Sequence, residues 1–220
     1  MLKILTIILS FTSLYGHAAD SFKATMVRGK VEFRSKSSGD WTAVQIGTLL
    51  NEGDRIKTGK KSLVRIKNSS LNLMITAKSY MKISNIGTDD IDSTVVTMAK
   101  GFLWGHLQKK SKNKNFKVIT KNAAMGVRGT KFSVSYGPTG TLGCVCDGSV
   151  RVFPKGGEKI IVKRGEGIVV NQDLTTHPKQ YAKTMKWGKP NAVFGKWLKK
   201  DARYQSCTEC HNAKFKMRHD

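Results

Sequence analysis

The sequence predicts an all-β protein, a roll or sandwich of short antiparallel strands followed by a short, partly helical C-terminal tail. Three observations carry that expectation. Between residues 22 and 170 apolar side chains recur with a period of two, as in "KATMVRGKVEFRS" with Val27, Val31 and Phe33. Glycine-containing turns cut the same region into short runs. After Asn171 β-branched residues thin out and Pro178 and Pro190 enter, so the texture changes.

Residues 1–19 read as a secretory signal peptide. Lys3 precedes an apolar stretch from Ile4 to Leu14, and the small residues Gly16, Ala18 and Ala19 offer a cleavage site. The apolar run is shorter than the roughly 20 residues that span a bilayer. The expected product is periplasmic or secreted, with no transmembrane span in the mature chain.

Residues 22–170 form the predicted β domain. In "SLVRIKNSSLNLMI" Val64 and Ile66 alternate with Leu63, Arg65 and Lys67, and "STVVTMAKGFLWGHL", "NFKVIT", "TKFSVSY", "TLGCVCDGSVRVF" and "KIIVKRGEGIVV" continue the style. "RGKVEF", "KGFLWG" and "DGSVRVF" each start an apolar strand directly after a glycine. These echoes suit stacked hairpins, but they lack the fixed period of a solenoid. Residues 171–220 form a basic tail, with Val193, Trp197 and Leu198 spaced to share a helical face. A tail of this length buries little by itself, so it is expected to pack on the β domain.

Lys and Arg total 39 against 15 acidic residues in 220, a formal net charge of +24. The excess runs from Lys23 to Arg218, and such a field attracts polyanions. In an exported protein nucleic acid is not the expected partner; an anionic envelope surface or an acidic protein is. The block "LQKKSKNKNFK" at 107–117 reads either as a docking patch or as an ordinary exposed loop.

Several motifs in order give the β region a family resemblance: "GKVEFR" from Gly29, Trp41, "GTLLNEGDRIKTG" at 47–59, "SLVRI" from Ser62, "NFKVITKNAAMGVRGTKFSV" at 115–134, "DGSVRV" from Asp147 and "RGEGIVV" from Arg164. The region resembles the FecR-like domain family, the periplasmic module first associated with iron-citrate signalling regulators. The resemblance covers nearly all of residues 26–170. It implies a binding, sensing or wall-associated β module. Regulators of that type have a cytoplasmic region and a membrane helix that control a sigma factor. A chain opening on a signal peptide is not expected to act that way.

Within the family motifs, Gly53 permits a turn that most residues resist, and Asp54 is expected to cap it. Gly126 and Gly129 allow close backbone approach, Arg128 is expected to tie loops together as an internal staple, and Thr130 begins a strand. The alternative for Arg128 is an anionic ligand. No nucleophile and base pair stands out, and His106 and His177 are solitary, so the protein reads as a non-enzyme.

The four cysteines fall in two pairs, "CVC" at 144–146 and "CTEC" at 207–210. "CTECH" has the signature of covalent haem c attachment, with Cys207 and Cys210 reaching the vinyl groups and His211 as axial ligand. A sixth ligand would come from His219, Met217, Met185 or His177. Alternation in a strand puts Cys144 and Cys146 on one face. Those two thiols with Cys207 and Cys210 make a four-thiolate zinc set, or one using His211 in place of a thiolate. Disulfides between strand and tail are the third reading, favoured by the compartment.

Overall fold

The computed structural model describes residues 21–87, 93–108, 115–164 and 166–176. All regular structure among them is β, and among the described residues no helix is long and apolar enough to cross a membrane. The expected signal peptide and the tail from residue 177 lie outside the described residues, as does most of the Lys-rich block at 107–117.

Two sheets face each other across one core. Sheet A runs, in spatial order, β4 (Leu49–Leu50), β1 (Phe22–Arg28), β6 (Leu63–Lys67), β7 (Leu71–Ile75), β9 (Ser93–Leu107), β12 (Lys131–Gly137), β13 (Gly140–Asp147) and β16 (Gly167–Val170). Sheet B runs β3 (Thr42–Ala43), β2 (Val31–Arg34), β5 (Arg55–Thr58), β8 (Tyr80–Asn85), β9 again, β10 (Asn115–Ile119), β11 (Ala123–Val127), β14 (Ser149–Pro154) and β15 (Ile160–Lys163).

β9 belongs to both sheets. Its first part, as far as Lys100, pairs with β8 and β10; its second part, from Gly101, pairs with β7 and β12. Gly101 makes the corner. Its φ is +111°, and a Cβ there would stand 2.1 Å from Ser79 Oγ. A left-handed backbone with no room for a side chain is a position that glycine alone fills comfortably.

Among the described residues the strands pair antiparallel with one exception, β10 against β9. Parallel neighbours need a long crossover. The second half of β9 supplies it, carrying the chain away into sheet A before β10 returns beside Ser93–Thr97. Alternation along single strands carries no sign of that return.

Apolar side chains from both sheets fill the space between. Phe116 of β10 and Phe132 of β12 stack at 5.7 Å between centroids, and Met125 of β11 lies where a Cβ on Gly143 would fall. The last strand is held by a buried polar knot. Asn122 Nδ2 donates to the carbonyls of Val170 (2.8 Å) and Asn171 (2.7 Å), while the Thr141 hydroxyl donates to Asn122 Oδ1. Thr120 Oγ1 lies 2.7 Å from Thr141 Oγ1. Buried polar groups of this kind are stable only when their partners are all present.

Candidate functional site

The outward face of sheet B concentrates basic side chains. Cross-strand register places Arg34 of β2 opposite Arg55 of β5, and Arg55 opposite Lys82 of β8. In the adjacent row Glu32 stands opposite Lys57, Lys57 opposite Tyr80, and Tyr80 opposite Lys100 of β9. Further along, Lys117 of β10 and Arg151 of β14 flank Gly126, which has no side chain between them. Ile119, Phe153 and Ile161, each about two-fifths exposed, lie on the same face. Cations directly opposite one another destabilise a sheet. That cost falls when an anion covers them.

Trp41 organises the end of this face. Lys57 Nζ sits 4.0 Å from its ring centroid and Arg34 Cζ 5.1 Å, while the Tyr80 ring lies 5.9 Å away. A cation over an indole is held by the ring's quadrupole. The Glu32 carboxylate forms ion pairs with Lys57 (3.3 Å) and Lys30 (3.6 Å). The positions of Lys57 and Arg34 are therefore set before any partner arrives.

Asp54 anchors the loops beneath. It is 2% exposed, and its carboxylate accepts from the backbone N–H of Lys36 (3.1 Å) and of Asn51 (2.8 Å). The expected turn cap is thus present, and it also reaches the loop after β2. Gly53 beside it has φ +92°, and a Cβ would strike the Lys36 side chain at 2.6 Å.

The second glycine motif differs from expectation at Arg128. Its side chain is exposed, so it is no internal staple; the residue is used through its carbonyl. Thr130 is the tie instead. It is 1% exposed, and its hydroxyl lies 2.8 Å from Arg128 O and 3.0 Å from Ser149 O. The strand end leaves Arg128 no enclosed partner, whereas a short hydroxyl fits between two backbones. Gly129 is left-handed at φ +57°, and Gly126 lies in the basic face.

Residues 54–151 match the family model described as FecR protein. The chain is similar to that family over this span. The matched span opens at the buried Asp54 and closes at Arg151 of the basic face; Arg34 and Trp41 precede it. Two crystal structures of a candidate anti-sigma factor from Parabacteroides distasonis are similar to the chain. One shares 16% identity at a TM-score of 0.51, covering 68% of this chain and 73% of that one. The other shares 17% at 0.49, covering 69% and 74%. At 16% identity the first of these likenesses is one of fold. No curated protein matches the chain.

Strand β13, which carries Cys144 and Cys146, is irregular near its end. Phe132 pairs with Val145 and Lys131 with Asp147, which leaves Cys146 as the extra residue of a β-bulge. A bulge interrupts the alternation that placed Cys144 and Cys146 on one face. Cys144 is a thiol with 1% exposure, whereas Cys146 is partly exposed and disulfide-bonded. A sulfur held in a disulfide is no thiolate ligand, so the strand half of the zinc set does not fit in this state. Among the described residues no group of three His, Cys, Asp or Glu could hold a metal ion. Cys207, Cys210, His211 and the sixth-ligand candidates His177, Met185, Met217 and His219 lie outside the described residues.

The sequence signalled the charge but not its arrangement. Arg34, Arg55 and Lys82 are far apart in the chain, and only strand pairing aligns them. His106 sits on β9 with its ring 6.4 Å from that of Trp104.

Proposed function

We propose that this chain is a non-catalytic, extracytoplasmic FecR-like sensing module that docks through the outward face of sheet B on an anionic surface or an acidic protein. The aligned row Arg34, Arg55 and Lys82 carries the reading. Three cations in register repel one another until a partner neutralises them, so the row binds anions more strongly than scattered lysines do. Trp41 and Tyr80 add an apolar edge to the same end, and Phe153 and Ile161 add one further along.

Co-sedimentation with vesicles containing anionic lipid, against neutral vesicles, tests the docking. Binding should fall steeply as salt rises, and should be lost in the Arg34→Glu, Arg55→Glu, Lys82→Glu variant with its melting transition retained. Attachment that persists unchanged at high salt rules the electrostatic reading out. If vesicles are ignored at low salt while an acidic protein is captured through the same three residues, the partner is protein.

For the cysteines, the bonded state of Cys146 supports the disulfide reading over haem c or zinc. A Soret band that survives denaturation would restore the haem on Cys207, Cys210 and His211. Stoichiometric zinc in colourless protein would restore the metal set Cys144, Cys146, Cys207 and Cys210.

A further inference from the structure

The face of sheet A turned away from the core is buried where a solvent face is expected. Register puts Phe102 of β9 beside Ser135 of β12 and Leu142 of β13 on that face; Trp104, Ser133 and Cys144 form the next row. Ser133 and Ser135 are each 1% exposed, and Phe102 is 0% exposed. Yet Phe102, Trp104, Leu142 and Cys144 are absent from the cluster that fills the space between the sheets. The cover is graded across the sheet. Asn72 and Met74 of β7 are half-buried, and Met26 and Lys67 beyond them are exposed.

The open side of an antiparallel sheet normally carries hydrated polar side chains. Serines buried there need chain lying over them, and no described strand crosses this side. Two buried polar atoms without a hydrogen-bond partner, Asn72 Oδ1 and Trp104 Nε1, also belong to this face.

Cys146 identifies the covering chain. It is disulfide-bonded, Cys144 remains a thiol, and the protein has four cysteines, so the other two are Cys207 and Cys210. We propose that the segment 177–220 of this chain covers the outward face of sheet A over β9, β12 and β13, latched there by a disulfide from Cys146 to Cys207 or Cys210.

The geometry allows it. Thr176 bridges to Val170 at the β16 edge, next to β13. From β16 to β9 the face spans three strand gaps, about 15 Å. Residues 177–206 are ample for that distance, and they bring Met185, Trp187, Phe194, Trp197 and Leu198 as apolar cover. The latch opens by thiol–disulfide exchange. A dithiol reductant is oxidised to its disulfide, the Cys146 bond breaks, and its two sulfurs leave as thiols carrying the two electrons and two protons. The proposal is independent of anion docking, which uses the other sheet.

Two measurements on the full-length chain test it. After alkylation and digestion without reduction, a monomer should yield a peptide joining Cys146 to Cys207 or Cys210. Cys146 recovered alkylated, bonded to Cys144, or bonded to a second copy overturns the latch. Hydroxyl-radical footprinting should find Trp104 and Met74 protected in the oxidised chain, with labelling several-fold higher in the Cys146→Ser variant, its folding checked by its melting curve. Strong labelling of Trp104 in the unsubstituted oxidised chain overturns the docking, and equal labelling in the two overturns the role of the disulfide.

Discussion

Arg34 lies directly opposite Arg55 across β2 and β5, and Arg55 directly opposite Lys82 across β5 and β8. Replacing Arg55 by Ser removes the central charge of the row. The variant is expected to gain about 0.2–1 kcal/mol of stability, the size of a cross-strand pair. The same variant should bind anionic vesicles more weakly. Urea denaturation and vesicle titration, run together, check that opposite pairing of effects.

Gly101 turns β9 from one sheet into the other with φ +111° and Ser79 against it. Gly101→Ala should cost about 1–3 kcal/mol from the backbone conformation alone. The clash with Ser79 adds to that, and Ser79→Gly in the same chain should recover part of the loss. Thermal melting of the single and double variants reads both.

Asp54 accepts two backbone N–H groups while itself buried. Asp54→Ala leaves both donors orphaned, at about 1–3 kcal/mol for each one that stays buried. Asp54→Asn keeps acceptor capacity at one oxygen and should lose less. Denaturation midpoints should rank wild type above Asn above Ala.

Thr141 and Asn122 tie the turn before β11 to the end of β16. Thr141→Val keeps the shape and removes the hydroxyl, so Asn122 Oδ1 loses a donor at about 1–3 kcal/mol. Hydrogen exchange should quicken at residues 167–171, leaving β1 and β6 protected. Uniform quickening across the domain would show that the knot acts globally.

The strands of the core were legible because each carries its own evidence. Alternation in "SLVRIKNSSLNLMI" sets Val64 and Ile66 against Leu63, Arg65 and Lys67, and both are buried. Asp54 was legible for the same reason, since a turn cap acts within a few residues of itself. Arg128 was misread because its neighbours in sequence, two glycines, say how the backbone bends and nothing about what encloses a side chain. The parallel return of β10 and the bulge at Cys146 escaped because both are relations between strands, invisible in the alternation of either.

The all-β class, the charge and the FecR-like motifs were determined by the sequence alone, since period-two burial, net charge and turn residues are local properties of the chain. Tertiary structure decided where the charge stands, by bringing Arg34, Arg55 and Lys82 into one row. It also put a one-residue bulge at Cys146. Register across strands is set by the packing of the whole sheet, and no single strand contains it.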